Sequence, residues 1–129
     1  IGNHGYAHKH HSQLSFEENL KEIQRTEQII EEITGFKTLL FAPPYGDFNK
    51  TTLRAADFLG YKTIMWSIDT IDWRREGADI ILHRVLKNPH NGAFILMHPT
   101  EYTVKALPTM IDELRKKGYE VGKISDLLD

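Results

Sequence analysis

Residues 38–48, TLLFAPPYGDF, decide the kind of fold that the chain can adopt. The first four residues are a short apolar run of the composition found in strands. Pro43 and Pro44 have no backbone N–H to donate to a neighbouring strand, so the strand has to end before them. Asn49 is then predicted to be the N-cap of a helix that runs to Gly60. The segment is therefore a strand followed by a helix.

The same alternation is predicted on both sides of this segment. Ser15 and Glu18 form a capping box that opens an amphipathic helix over about 16–34, and Gly35 supplies its left-handed end. The further elements predicted are a β-rich run over 61–68, a helix over 78–86, a strand over 93–97, a helix over 105–117, a weaker strand over 119–124, and a terminal turn capped by Ser125. Apolar strands separated by helices favour parallel pairing, which predicts an α/β fold.

Length limits the architecture. At about 30 residues per strand–helix unit, 129 residues supply roughly four units, too few to close an eight-unit barrel of about 250 residues. We expect one domain over 1–129, either half a barrel or a small open sheet. The sequence starts at Ile1 and runs directly into a histidine motif, so we also expect it to be a fragment of a longer chain.

Composition excludes several classes of function. The net charge is −2 and the pI is near 6.4, and the basic residues form no long run, which argues against nucleic acid as a partner. The longest apolar run, 93–97, is far shorter than the roughly 20 residues that a membrane span needs. The chain has no cysteine, so histidine and carboxylate are the available metal ligands.

Three clusters of chemically useful residues each follow a predicted strand. They are APPYG at 42–46, DTIDW at 69–73 and LMH at 96–98. Because functional groups in parallel α/β folds gather at the carboxyl ends of the strands, we expect the clusters to meet at one rim. Together with HGYAH at 4–8, they indicate a metal-assisted hydrolase.

Each motif also has a simpler interpretation. His4 and His8 could chelate one ion, or belong to an exposed polar loop that also contains His10 and His11. APPYG could aim a backbone N–H or be a plain turn. Asp69 could cap the segment that follows it.

The later clusters leave similar alternatives open. Asp72 and Trp73 could pair with a catalytic imidazole and wall a sugar site, or be a solvated carboxylate and a packing residue. His98 ends an apolar strand, where a nearby carboxylate such as Asp72 would favour its protonated form and suit it to act as an acid. The alternative is a structural histidine. His83 and His90 are predicted on a helix surface and in a turn, without a role.

The motifs HGYAH, FAPPYGDFN, DTIDW and ILMH, in this order and spacing, resemble the polysaccharide deacetylases of carbohydrate esterase family 4, the NodB homology domain. The closing GYEVGKISDLL at 118–128 is similar to the end of that domain. The resemblance covers nearly the whole chain. It implies the C-terminal portion of a deformed parallel β/α barrel.

The resemblance also implies a role for each motif. His4 and His8 match the two histidines that hold a divalent metal, usually zinc, with cobalt as an alternative. The Tyr45 backbone N–H matches the group that stabilises the oxyanion. The remaining matches are Asp72 as the residue that tunes the acid, Trp73 as a groove wall, Leu96 as a pocket residue and His98 as the catalytic acid.

Two features depart from the family pattern. The aspartate pair that supplies the general base and third metal ligand normally precedes the histidines, and only Ile1, Gly2 and Asn3 stand there. Ala42 stands where the family usually has an arginine that orients the base. Arg74 or Arg75 is a hypothetical replacement for that guanidinium.

The resemblance implies a hydrolase that removes acetyl groups from N-acetylglucosamine-containing polysaccharide, such as peptidoglycan or chitin-like chains. Metal-activated water would attack, and a histidine would act as general acid. One alternative is a degenerate domain that binds glycan or metal without turnover, which Ala42 motivates. Another is a hydrolase of small amides or cyclic imides. A polysaccharide substrate of this kind implies action outside the cytoplasm, at the cell envelope.

Overall fold

The strands of the described residues form two parallel pairs, and the two strands of each pair are connected by one α-helix. In the computed structural model, which describes residues 1–128, β1 (Leu40–Phe41) pairs with β2 (Lys62–Thr63) across helix α2 (Lys50–Phe58). In the same way, β3 (Ile68–Asp69) pairs with β4 (Ile95–Leu96) across helix α3 (Ala78–Leu86). The predicted parallel α/β arrangement is confirmed.

The chain divides into two compact units, Ile1–Met65 and Trp66–Asp129, here called the N-terminal and C-terminal units. The N-terminal unit contains helix α1 (Phe16–Thr34), β1, α2 and β2, and the C-terminal unit contains β3, α3, β4 and helix α4 (Glu101–Lys116). The expectation of one domain over 1–129 stays a prediction.

Helix α1 forms where the sequence predicts it. The Ser15 hydroxyl accepts the Glu18 N–H at 3.1 Å, and a Glu18 carboxylate oxygen accepts the Ser15 N–H at 2.8 Å, so both halves of the capping box are present. Gly35 ends the helix with φ 69°, a conformation that costs glycine little. The helix buries one face against a core made of Ile23, Phe41, Ala56 and Tyr61.

The segment before the first helix adds a third parallel strand position to the N-terminal unit. Asn3 bridges to Phe41, with the Asn3 N–H donating to Leu40 at 2.8 Å and the Ala42 N–H donating to Asn3 at 2.9 Å. The histidine motif begins at the next residue. It therefore starts at the carboxyl end of a strand-like segment beside β1.

The C-terminal unit is built on α3 and α4, which pack on each other and on the β3–β4 pair. The buried core residues are Ile68, Ile81, Val85, Ala106, Met110 and Leu114. Helix α4 is capped by Thr100, whose side chain accepts the Thr103 N–H at 3.2 Å. None of the helices in the described part of the chain is long and apolar enough to cross a membrane.

Four predicted elements differ from the structure. Ser125 does not cap the terminal turn but lies inside the 3-10 helix Ile124–Leu127, which Lys123 precedes. The run over 61–68 is two separate strands, β2 and β3, which belong to different units. Helix α4 begins at Glu101 and not near 105, because Thr100 caps it. The strand predicted over 119–124 is wrong: residues 119–123 have no regular secondary structure, and a short 3-10 helix, Ile124–Leu127, follows.

Among the described residues, Phe41 has the largest fully buried side chain, with 0% of its surface exposed. We predict that Phe41→Ala lowers the free energy of unfolding by about 3–5 kcal/mol, because it removes a buried ring and leaves a cavity. Phe36→Ala is the matched control, since Phe36 is 51% exposed and should lose far less. Urea unfolding measures both, and equal losses at the two positions would contradict the core described above.

Candidate active site

The two motif histidines lie side by side on the surface of the N-terminal unit. Their ring centroids are 5.0 Å apart, with the planes at 65°. The His4 Nδ1 lies 2.6 Å from the carbonyl oxygen of Ala42. Because a carbonyl only accepts, His4 Nδ1 must carry the proton. The Nε2 of His4 is therefore unprotonated in the neutral ring and available as a ligand.

Buried acceptors hold the loop between these histidines. Asn3 Oδ1 accepts the Gly5 N–H at 2.9 Å, and Glu22 Oε2 accepts the N–H groups of Tyr6 and Ala7 at 3.2 and 2.9 Å. Both Asn3 and Glu22 are buried. The loop backbone is thus fixed from beneath, while the imidazoles above it stay exposed.

His11 is a structural histidine beneath the same loop. It is fully buried, and its Nδ1 donates to Asn19 Oδ1 at 2.7 Å. Burial lowers the pKa of His11, so the ring is neutral. A Cβ at Gly5 would lie 3.0 Å from His11 Nε2, and Gly5 also has a φ of 76°, so another residue there would have a strained backbone and a tight contact with His11.

The turn after β1 has an unusual backbone. Residues Pro44–Gly46 form a short 3-10 helix in which Tyr45 has φ 61° and ψ 7°. The N–H groups of Gly46 and Asp47 close this turn by donating to Pro43 and Pro44, each at 3.0 Å, and the Tyr45 N–H takes no part in these two bonds. A left-handed non-glycine residue is strained, and such strain is common where backbone groups serve a function.

Ring contacts connect this turn to the histidine loop. The Tyr45 ring meets the edge of His8 at 4.6 Å and stacks on His10 at 4.0 Å. Asp47 Oδ2 accepts both the N–H and the hydroxyl of Ser12, and these hydrogen bonds lower the pKa of Asp47. The structure thus brings together His4, His8 and Tyr45. Their predicted roles stay predictions.

The C-terminal unit holds a paired carboxylate and imidazole. Asp72 follows β3, and His98 follows the neighbouring strand β4. Asp72 Oδ1 lies 2.8 Å from His98 Nδ1, while Oδ2 accepts the His98 backbone N–H and, at 2.8 Å, the Thr103 hydroxyl. Asp72 is only 1% exposed, whereas the His98 side chain is half exposed. The predicted pairing of Asp72 with an imidazole is confirmed.

The charge of Asp72 decides which atom of His98 can exchange a proton. Burial alone would raise the pKa of Asp72, but the hydrogen bonds from His98 and Thr103 outweigh it and hold the pKa below its ordinary value. Asp72 is therefore ionised and can only accept. His98 Nδ1 must then be a donor, which leaves Nε2 as the ring atom for a substrate.

Short-range contacts hold the loop that carries Asp72. Asp69 Oδ1 accepts the Ile71 N–H at 2.9 Å, so the simpler interpretation of Asp69 as a local cap is correct. Ile71 itself is left-handed, with φ 50°. The Arg84 guanidinium reaches from α3 to the Thr70 carbonyl at 2.9 Å and to Glu76 at 2.9 Å. Arg84 was not found from the sequence, because no motif marks its contact with this loop.

The remaining predicted site residues differ in exposure. Trp73 is 62% exposed, and the Arg74 guanidinium lies 5.2 Å from its ring centroid. Leu96 is partly buried in β4, and its carbonyl accepts the Thr70 hydroxyl at 2.8 Å. His83 lies on the surface of α3. His90 lies in an exposed turn, so both histidines are where the sequence predicts them.

The histidine pair is compatible with a shared metal ion. Two imidazoles that bind one tetrahedral ion at about 2.0–2.1 Å place their ring centroids about 5 Å apart, and a ligand histidine commonly donates its other N–H to a carbonyl. His4 and His8 fit the first condition, and His4 fits the second. Within residues 1–128, no group of three histidine or carboxylate side chains is arranged to hold a metal.

The N-terminal unit has paired imidazoles and a strained turn, and the C-terminal unit has an imidazole oriented by a carboxylate. Such features are typical of one class of protein, the metal-assisted acyl hydrolases. A family model for polysaccharide deacetylase matches residues 1–64. The family 4 carbohydrate esterase of Streptomyces lividans, solved in complex with acetate, superimposes with a TM-score of 0.91 at 34% identity, over 99% of this chain and 67% of that one. The chain belongs to the polysaccharide deacetylase family, carbohydrate esterase family 4.

Two curated relatives extend the comparison. The uncharacterised protein YlxY of Bacillus subtilis is 40% identical over 129 residues, which is 100% of this chain and 40% of YlxY. A peptidoglycan-N-acetylglucosamine deacetylase of Bacillus cereus is 34% identical over 123 residues, which is 92% of this chain and 45% of that protein. The chain thus spans less than half of the length of these two relatives.

A further solved structure is similar over the whole chain. It is a pseudoenzyme of carbohydrate esterase family 4 from Bacillus anthracis, with a TM-score of 0.97 and 46% identity over 100% of this chain and 46% of that one. A mutant of this pseudoenzyme, described as having restored enzymatic activity, has a TM-score of 0.97 and 45% identity. The predicted fold, part of a polysaccharide deacetylase domain, is confirmed by these structures.

The lowered pKa of Asp72 predicts how stability depends on pH. A carboxylate whose pKa is lower in the folded state stabilises the fold above the unfolded pKa, about 3.9, and this stabilisation is lost as pH falls through the folded pKa. We predict that wild type exceeds Asp72→Asn in free energy of unfolding at pH 7, and that the difference shrinks below pH of about 4. Asp112→Asn, at an exposed position on α4, is the control.

Urea unfolding at a series of pH values measures these differences. A gap between wild type and Asp72→Asn that is constant or grows toward low pH would contradict the assignment of an ionised Asp72.

Proposed function

We propose that the protein removes acetyl groups from N-acetylglucosamine-containing polysaccharide, with peptidoglycan as the substrate class. The observation that carries this proposal is the pairing of buried Asp72 with His98, which leaves Nε2 of a half-exposed imidazole to donate a proton. Membership of the polysaccharide deacetylase family supports it, as does the similarity to proteins named peptidoglycan deacetylases.

His98 provides the proton that the reaction needs. Cleavage of the acetyl–nitrogen bond requires a proton on the leaving amine, because an amide anion is a poor leaving group. In its protonated form His98 donates this proton from Nε2, and Asp72 stabilises the imidazolium through Nδ1. Asp72 stays ionised throughout, held by the hydrogen bonds described above.

The backbone of Tyr45 and the two motif histidines act on the acetyl carbonyl group. The Tyr45 N–H stabilises the oxyanion that forms when water attacks. His4 and His8 would hold a divalent metal, zinc or alternatively cobalt, and that ion would polarise the carbonyl and acidify water. Trp73 and Leu96 contact the sugar and the acetyl methyl group. We assign the general base to none of the residues of this chain.

A peptidoglycan substrate places the reaction outside the cytoplasm, at the cell envelope. This part of the proposal depends on the substrate alone. The relatives named as peptidoglycan deacetylases support it.

The test is acetate release by the full-length protein from peptidoglycan and from chitooligosaccharides of increasing length, with zinc or cobalt added. We predict release that His98→Ala lowers at least about 100-fold, the scale expected for loss of a general acid. His83→Ala is the matched control, since His83 lies on the surface of α3. Equal release by wild type and His98→Ala would contradict the proposal.

A second function, binding of glycan without turnover, is favoured by one residue. Ala42 stands where the family usually has an arginine, and its side chain cannot orient a carboxylate base. The 46% identical structure described as a pseudoenzyme supports this alternative. Glycan affinity with no acetate release by the full-length protein would favour it over the first proposal.

A guanidinium introduced at position 42 tests whether Ala42 limits the rate of acetate release. We predict that Ala42→Arg raises the rate of acetate release by about ten-fold or more, because a bidentate guanidinium orients a carboxylate. Ala42→Met is the matched control, with similar bulk and no charge. The Ala42 carbonyl that holds His4 is retained in both variants. A rise that Met matches would show that bulk, and not the guanidinium, is responsible.

A further inference from the structure

Thr103 has a buried hydroxyl that donates to Asp72, the carboxylate that orients the His98 imidazole. It lies in the first turn of α4, is 3% exposed, and donates to Asp72 Oδ2 at 2.8 Å. We propose that Thr103 is a positioning residue for His98: its hydroxyl holds the Asp72 carboxylate so that the other oxygen faces His98 Nδ1. The effect on catalysis rests on the proposed function, and the effect on Asp72 does not.

Counting donors fixes the direction of every hydrogen bond in this cluster. Thr103 has one hydroxyl proton, and the ionised Asp72 can only accept, so that proton points to Asp72. The hydroxyls of Thr103 and Thr100 lie 2.7 Å apart, and Thr100 must be the donor between them. The order is therefore Thr100 to Thr103 to Asp72, with His98 donating to Asp72 from the other side.

The two oxygens of Asp72 have different partners. Oδ2 receives the Thr103 hydroxyl and the His98 backbone N–H, whereas Oδ1 receives the His98 ring. Removing the Thr103 hydroxyl leaves Oδ2 with the backbone donor as its remaining partner in this group, inside a site that is 1% exposed. A buried charge that loses a hydrogen bond becomes easier to protonate and less strictly oriented.

Three charged side chains on the neighbouring helices have partners outside this cluster. Glu101 and Lys105, on α4, are exposed and pair with each other at 3.1 Å. Arg84, on α3, binds the Thr70 carbonyl and Glu76. Within the C-terminal unit, His98 is the charged partner that acts on Asp72. A change at Thr103 should therefore appear as a shift in the titration midpoint of Asp72.

The first experiment follows Asp72 by carbon-13 NMR in the full-length protein, as a function of pH. In Thr103→Val, which keeps the shape and removes the hydroxyl, the titration midpoint of Asp72 should move to higher pH. Thr103→Ser, which restores a hydroxyl, should return it toward the wild-type midpoint. Thr70→Val is the matched control: Thr70 is equally buried, but its hydroxyl donates to the Leu96 carbonyl. An unchanged midpoint in Thr103→Val would overturn the proposal.

The second experiment measures acetate release by the same variants. Thr103→Val should lower kcat about ten-fold with a smaller change in KM, and Thr103→Ser should recover most of the loss, as expected for a hydrogen bond to a charged group. A loss that Ser does not recover would overturn the positioning role. If the wild type releases no acetate, the proposed function fails, and the Asp72 midpoint alone decides whether Thr103 orients this carboxylate.

Discussion

The burial of one charged carboxylate is the constraint on which the C-terminal unit depends. Removing Asp72 from water costs several kcal/mol unless hydrogen bonds replace the lost hydration. The donors come from the end of β4 and from the first turn of α4, so the carboxylate connects both elements to the loop after β3. The same bonds that make the burial tolerable also orient His98. The hydrogen bonds that stabilise the buried Asp72 are therefore also the bonds that fix the position of the imidazole.

The N-terminal unit follows the same principle with different groups. Asn3 and Glu22 are buried acceptors that hold the backbone of the histidine loop, and the imidazoles of His4 and His8 are exposed. Tyr45 is kept in a strained conformation by a proline-stiffened turn, and ring contacts join it to the loop. Rigid buried hydrogen bonds thus support exposed groups in both units, which is a common requirement for a preorganised site.

The sequence predicted what local signals determine. Helix α1 followed from its capping box and Gly35, and the ends of β1 and β4 followed from prolines and polar residues. The run over 61–68 could not be divided into two strands from the sequence, because an almost continuously apolar run has no periodicity to mark a break. The start of α4 was missed although Thr100 and Thr103 have the spacing of a cap. The roles of Glu22 and Arg84 depend on contacts 14 to 16 residues away in sequence, for which no local signal exists.

The family resemblance predicted the site residues, whereas the structure indicates which nitrogen of His98 carries the proton in the neutral ring. Asp72 holds a proton on Nδ1 of His98 and thereby leaves Nε2 as the ring atom that can take up and release a second proton. The most direct test is long-range nitrogen-15 NMR of His98 in the full-length protein, at a pH where the ring is neutral. We predict a protonated Nδ1 and an unprotonated Nε2. A neutral ring that carries its proton on Nε2 would contradict it.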